Sequence, residues 1–547
     1  MRFAEAALSA QDARAAADRD LVASVAGMRG DRRRHPGPRA GRGSIATVSV
    51  VLALVLAACS NGGGPDVVEV EATPTTPPDA APPDARSTTA GEVATTAEAG
   101  STGGADPGRP SRSTSVGDRR FPQLGSADID VRHYDLDATY DPAARLLEGS
   151  VTIDLTLVRP TDRIALDAAG PEVDAVRVGA AAVPFAEADR ELVAELGDVY
   201  DAGTDLVVEV DFRTRVDDRT FIGDGPGLFP TADGLWSVNE PDGVSTWLPA
   251  NDHPTDKATW SFAVTVPDGS TAVLNGRLVS STSSADGTRW VWEQDELMAP
   301  YLVLFLVGDY DLVDTADTPS GIAVDLVVLD GVGDDLDGYA EVTLEQLAYF
   351  EDVFGPYPFE RYGLALADST PGLGMETQGR SLLSAADFDG TLGERQQRLL
   401  AHELAHQWFG DAVSPATWDD IWLNEGFATY AEWLWLGELR VADVDDLADA
   451  TLGSLPPTGW PLSQPAELFG EVSYRGGAVA LHAIRRTIGD EAFFDGLRSW
   501  VAHHDDGVGT TDGFQAVMES ASGQDLDEVF ADWVHADRIP DRFPDRN

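Results

Sequence analysis

The segment His402-Glu403-Leu404-Ala405-His406 places two imidazoles four residues apart, with a carboxylate beside the first. On a helix, residues four apart leave the same face about one turn from each other, so both rings can reach one ion. Glu403 is placed to take a proton from a water that such an ion activates. After eighteen intervening residues comes Glu425, in the run from Trp418 to Ala428 that reads WDDIWLNEGFA. A catalytic zinc takes three protein ligands and keeps a fourth position open for water. His402, His406 and Glu425 supply such a set, which predicts one Zn2+ per chain. Two surface histidines on an amphipathic helix would leave Glu425 unexplained. Glu432, two turns past Glu425, is placed either to orient a ligand histidine or to face solvent. Asp411, Asp419 and Asp420 are weaker candidates for the orienting role.

These residues need a rigid helical frame. Thr391 and Glu394 have capping-box spacing at the start of the first helix, and Gly410 is a natural stop. Leu399, Leu400, Ala405 and Phe409 supply its apolar contacts. A turn after Gly410 and a returning helix would bring Glu425 back to the two histidines. Around this pair, residues 317–547 read as an α+β, mainly helical domain. It has strands at Ala323–Leu329 and Gly363–Ala367 and a helix at Val342–Phe354, where Leu344, Leu347, Ala348 and Phe354 recur at helical spacing. Residues 127–316 read differently. Val151, Ile153, Leu155 and Leu157 alternate with polar residues. So do Leu206, Val208, Val210 and Phe212, and Trp260, Phe262, Val264 and Val266. This period of two predicts an all-β N-terminal domain with one buried face per sheet. The predicted fold is thus multi-domain, all-β and then α+β, with no internal repeat.

The chain of 547 residues carries 93 acidic and 38 basic side chains. Its first 58 residues hold nine Arg and five acids, so without them the net charge is about −59. Such a field repels nucleic acid and anionic surfaces, and no nucleic-acid partner is expected. Lys257, the sole lysine, reads as compositional bias toward Arg. The one cysteine excludes an intrachain disulfide and leaves histidine and carboxylate as metal ligands. That cysteine, Cys59, closes a run from Gly43 to Ala58 that follows a cluster of arginines and is short for a membrane span. Leu56-Ala57-Ala58-Cys59 resembles the bacterial lipobox. Residues 1–59 therefore read as a signal peptide with lipidation at Cys59, Met28 offering an alternative start. Residues 60–126 are rich in Ala, Thr, Pro and Gly and read as a disordered tether, spanning on the order of 45 Å root-mean-square. The expected location is the outer face of a bacterial membrane, through the lipid anchor, as a monomer.

The runs HELAHQWFGD and WDDIWLNEGFATYAEW resemble the M1 family of zinc aminopeptidases, in the gluzincin group. The resemblance spans roughly 127–540 and takes in DIDVRHYDLDATYD, WLPANDHPTDKATW, FGPYPFERYG and FADWV, in the family's order. It implies a thermolysin-like catalytic domain, with His402, His406 and Glu425 on zinc and Glu403 as general base. The family's G-A-M-E-N strand corresponds to Leu373-Gly374-Met375-Glu376-Thr377. Glu376, which would bind the substrate's free amino group, is kept, and Gly374 and Met375 fall in the same substrate-binding strand. Leu373 and Thr377 depart from the pattern, which bears on substrate alignment and side-chain preference more than on the chemistry. Glu240, in Asn239-Glu240-Pro241, falls at the second amino-group anchor. Tyr474, in Tyr474-Arg475-Gly476-Gly477-Ala478, matches the tyrosine that stabilises the oxyanion.

The resemblance implies hydrolysis of the N-terminal peptide bond of peptides with a free amino group. A thermolysin-like endopeptidase is the enzymatic alternative, and Glu240 and Glu376 speak against it, since an endopeptidase has no free amine to hold. Nothing favours epoxide hydrolysis, found in one branch of the superfamily. A non-catalytic peptide-binding lipoprotein would be expected to lose the base, a ligand or the tyrosine, and all are present.

Overall fold

The computed structural model of the protein describes residues 114–188, 190–315, 317–332, 336–388, 392–504 and 507–546. The signal segment, Cys59, Thr391 and the tether up to residue 113 lie outside them.

Alternation builds the first half. In strand Leu146–Leu157, Val151, Ile153, Leu155 and Leu157 are buried, and the polar residues between them are not. The strand lies inside an eight-stranded sheet whose order is Arg277–Ser284, Gly287–Met298, Ala258–Val266, Ile129–Asp141, Leu146–Leu157, Asp205–Arg215, Glu172–Val178 and Ala181–Ala182. Ile129–Asp141 runs parallel to Ala258–Val266; every other pair in this sheet is antiparallel. A three-stranded sheet and a four-stranded sheet complete the β region. The four-stranded one includes Gly227–Pro230 and Leu235–Val238, the strand that leads to Glu240.

The second half opens with a five-stranded sheet in the order Tyr310–Asp314, Ala323–Leu329, Arg361–Ala367, Ser381–Ser384 and Gly374–Met375. Tyr310–Asp314, placed by sequence in the first domain, pairs instead with Ala323–Leu329. Its alternation alone could not say which sheet it joins. Four helices matter for the site: α1 (Leu336–Phe354), α2 (Glu394–Ala405), α3 (Trp422–Glu438) and α4 (Gly477–Ile488). On α1 the buried face is Tyr339, Thr343, Gln346, Leu347, Phe350 and Phe354, while Ala348 is exposed. α2 begins later than the capping-box spacing suggested. Its N-cap is Gly393, whose N–H is met by the returning Gln396 side chain at 3.2 Å. It ends at Ala405, with His406 as a helical C-cap, and Gly410 turns the chain at φ 137°.

Two features bind the halves together. Residues 114–126, expected to be tether, are part of the fold. Arg119 and Arg120 meet Asp419 at 2.6–2.7 Å, and the Asp118 carboxylate accepts from the Trp418 N–H at 2.7 Å. Further along, the Gly125 N–H donates to Asp167 and the Ser126 N–H to Asn251. These four partners are remote in sequence, which is why a polar, loop-like composition concealed the strap. The second feature is Lys257. It is buried, and its ammonium donates to the carbonyls of Asp411 and Ala412, both at 2.8 Å, on the turn that follows α2. Asp419 and Asp420 are structural: the first pairs with the strap, and the second accepts from the Thr511 N–H and hydroxyl. Neither orients a histidine.

Candidate metal and peptide site

α2 and α3 pack against each other, so the second helix does return Glu425 to the histidines. His402 Nε2 lies 3.4 Å and His406 Nε2 3.8 Å from one carboxylate oxygen of Glu425. All three side chains are buried. A tetrahedral ion with bonds of about 2.0–2.1 Å holds its donors about 3.3–3.4 Å apart, so the triad fits zinc. The far nitrogens are engaged: His402 Nδ1 faces Glu432 Oε1 at 2.8 Å, and His406 Nδ1 faces the Phe409 carbonyl at 3.2 Å. Both rings are thereby turned with Nε2 inward, the arrangement that metal-binding histidines need. Of the two placements open to Glu432, the structure has the buried one. Its other oxygen accepts from Arg398 at 2.6 Å. Arg398 carried no recognisable signal in the sequence.

Around the triad lies a small cavity of about 40 Å³, lined by Glu403, Glu240, Glu376, Gly374, Met375 and Tyr474 among others. The sequence-named residues therefore converge, although they come from five separate segments. Glu403 follows His402 on α2 and rests against the Gly374 backbone; a Cβ on Gly374 would stand 2.1 Å from Glu403 Oε1. Gly374–Met375 is the edge strand of its sheet, so one side of its backbone is free of a strand partner. Glu376, the next residue, is 3% exposed, and Glu240 is 9% exposed. Each has an Oε1 atom with no hydrogen-bond partner among the described residues. Burial pushes the Glu240 carboxyl well above the usual range, reinforced by the charges of Glu376, Glu425, Glu403 and Asp411. Burial likewise raises Asp411, and Glu376 adds to it against the opposing charge of Lys257. Carboxylates crowded in a buried pocket favour a positively charged guest.

Local anchors explain how each group is held. Asn239 donates to the Val303 carbonyl at 2.7 Å and accepts from the Trp247 indole at 3.0 Å, so it faces the β core. Its neighbours Val238 and Glu240 line the cavity. Gln407 was missed by sequence reasoning. It accepts from the Gly379 N–H at 2.8 Å and donates to the Glu376 carbonyl at 3.2 Å, tying the residue after His406 to the segment that carries Glu376. Its place in HELAHQWFGD was the available clue. Thr377 closes the turn to Arg380 through its hydroxyl. Tyr474 sits on a π-helical turn, Val472–Gly476, a form frequent at functional sites. Its ring is stacked 6.1 Å from that of His402. The approach depends on two glycines. A Cβ on Gly426 would come 2.8 Å from Gly477 Cα, and one on Gly477 would come 2.7 Å from Gly426 Cα. Only side-chain-free residues let α3 and α4 touch backbone to backbone.

Residues 131–302 match the peptidase M1 N-terminal domain, and residues 339–533 match the peptidase family M1 domain. A solved M1 zinc metallopeptidase from Deinococcus radiodurans is 31% identical and superposes with a TM-score of 0.72, covering 79% of this chain and 100% of that one. A mutant of that protein was solved with Tyr-Ser-Ala as substrate and superposes with a TM-score of 0.70 at 31% identity, covering 78% of this chain and 98% of that one. Among curated relatives, a probable aminopeptidase 2 of Sulfurisphaera tokodaii is 24% identical over 75% of this chain and 54% of its own length. Aminopeptidase M1 of Arabidopsis thaliana is 27% identical over 75% of this chain and 50% of its own. The chain thus spans about half the length of these curated relatives.

Proposed function

The chain belongs to peptidase family M1, and we propose that it is a zinc aminopeptidase that hydrolyses the first peptide bond of peptides with a free N-terminus. One observation carries the exopeptidase reading. Glu240 and Glu376 are buried on the wall of the metal cavity, and each keeps a carboxylate oxygen without a partner among the described residues. A substrate ammonium would satisfy both, and a peptide reaching past them in both directions would not.

His402, His406 and Glu425 would hold the zinc ion, which supplies Lewis-acid polarisation of a carbonyl and acidifies water. The free edge of Gly374–Met375 would align the substrate backbone as an added strand. Glu403 would accept the water's proton at its carboxylate and return it to the leaving amine. The Tyr474 hydroxyl would donate to the oxyanion that develops on the substrate carbonyl. Glu432 and Arg398 would keep His402 in register. We further propose that Cys59 carries a lipid that anchors the protein outside the cell membrane, a reading supported by the lipobox sequence.

The test uses the purified full chain on peptides with free and with acetylated N-termini, with and without chelator. Chelator-sensitive cleavage of free amines alone, reduced by at least 10²-fold in Glu403→Gln with zinc content retained, is the expected result. Equal cleavage of acetylated peptides would identify an endopeptidase instead. For the anchor, Cys59→Ser should move the protein from the membrane fraction to the soluble one.

A further inference from the structure

One side chain of the strap reaches two segments that lead into the metal cavity. Arg120 Nε donates to Asp419 Oδ1 at 2.7 Å, and its Nη2 donates to the Pro465 carbonyl. The Arg120 side chain is 13% exposed. Asp419 lies in the turn Trp418–Asp420, which passes through Ile421 into α3, the helix that carries Glu425. Pro465 lies in the stretch that leads to Phe469 and Tyr474, both on the cavity wall. A single guanidinium therefore joins the approach to a metal ligand to the approach to the tyrosine. Arginine suits the place, because its planar fork offers several donors in fixed directions.

The two ends of this bridge are held unequally. The start of α3 has further anchors. Arg119 meets Asp419 at 2.6 Å, Asp118 accepts from the Trp418 N–H at 2.7 Å, and Asp420 accepts from the Thr511 N–H at 3.0 Å. Residues 462–470, in contrast, lie in turns and bends. The Ser463 N–H donates to the Val534 carbonyl at 3.1 Å and the Ala466 N–H to the Gly459 carbonyl at 3.0 Å, and neither acceptor belongs to a ligand helix. A shift of this stretch would reach Tyr474. The Ser473 and Tyr474 N–H groups both donate to the Gly470 carbonyl, at 2.9 and 3.3 Å, and Arg475 donates to Glu471 at 2.8 Å. The π turn is thereby locked to the residues that enter it, while Gly477 against Gly426 fixes its far side.

We propose that Arg120 is a positioning residue for the reaction: it holds the Pro465 stretch against the start of α3 and so aims the Tyr474 hydroxyl. The proposal rests on the aminopeptidase reading above, in which that hydroxyl donates to the oxyanion. It assigns a role in turnover to the strap, outside the cavity itself.

The experiment measures kcat, KM and zinc content of the full chain on Leu-4-nitroanilide, with Arg120→Met made in the wild type and in Tyr474→Phe. Misplacing a reacting group by about 1 Å can cost about 10²-fold, so Arg120→Met should lower kcat by at least about tenfold, with KM within about threefold and zinc retained. In the Tyr474→Phe background the same change should move kcat by less than about threefold, because the hydroxyl to be aimed is gone. A general packing defect would lower kcat by the same factor in both backgrounds, and that result overturns the proposal. So does an Arg120→Met kcat within about twofold of wild type. Arg119→Gln removes a bond to the same carboxylate without touching Pro465, and its kcat should stay within about twofold of wild type. A loss as large as that of Arg120→Met would place the effect on Asp419 alone and overturn the bridge. If Arg120→Met does not fold, Arg120→Lys takes its place in both backgrounds, since it can keep the pair with Asp419 but has no fork to span both acceptors. Tyr474→Phe with wild-type kcat would sink the role given to Tyr474, and a wild type inactive on every free-amine substrate would sink the aminopeptidase reading. Either takes the proposal with it, whereas the outcomes above overturn the proposal alone.

Discussion

Glu432 offers the sharpest test of how the metal site is held. Its carboxylate is 1% exposed and bridges His402 Nδ1 at 2.8 Å and Arg398 at 2.6 Å. Replacing it with Ala removes the acceptor that fixes the ring's orientation and tautomer. Loss of such a partner typically weakens metal binding by about 10–100-fold, or about 1.4–2.7 kcal/mol. The buried ion pair with Arg398 is broken as well, a separate cost of about 3–5 kcal/mol to folding. Two further variants separate these effects. Glu432→Gln keeps an acceptor for His402 while losing the charge, so its zinc affinity should fall by no more than about tenfold. Arg398→Met breaks the pair but leaves Glu432 on the histidine, so it should reduce stability more than zinc affinity. The assay is competition against a chromophoric chelator at fixed pH, with urea unfolding of the same preparations. If Glu432→Ala binds zinc within threefold of wild type while His402→Ala loses binding, Glu432 does not orient the ligand and the reasoning fails.

Other consequences can be checked on the same material. Lys257→Met removes two charge-assisted bonds to the turn after α2. It should lower unfolding stability by about 3 kcal/mol, read as a shifted urea midpoint at unchanged slope. Asp167 is buried and its carboxyl is raised to about 7, with burial the main cause. The folded state then holds a proton that the unfolded chain releases, so this residue makes stability fall as pH rises from about 4 to about 7. Asp167→Asn should flatten that trend, gaining up to about 4 kcal/mol at pH 8 and much less at pH 4, by urea titration at each pH. A variant with the same slope as wild type across that range would rule Asp167 out as its source.

The division between what was legible early and what was not has a physical basis. Residue spacing on a helix is local geometry, so His402, Glu403 and His406 could be read as one face before any fold was known. Period-two burial in Leu146–Leu157 and Ala258–Val266 was legible for the same reason. Sheet membership was not, because a strand's alternation says which face is buried and nothing about its neighbour; Tyr310–Asp314 went to the other sheet. Nor was the strap at 114–126, whose anchors on Asp419, Asp167 and Trp418 lie tens to hundreds of residues away. Within the site, the family resemblance pointed to Glu240, Glu376 and Tyr474, but only packing shows why they meet. Gly426 against Gly477 sets the approach of α4 to α3, Gln407 ties the Glu376 segment to α2, and Lys257 joins the β region to the turn beyond α2. By itself the sequence determined the chemical groups and their order along each element. The tertiary structure decided which groups share a cavity, which arginine holds the partner of His402 and which apolar side chains line that cavity, because those contacts arise between segments whose separation in the chain carries no distance information.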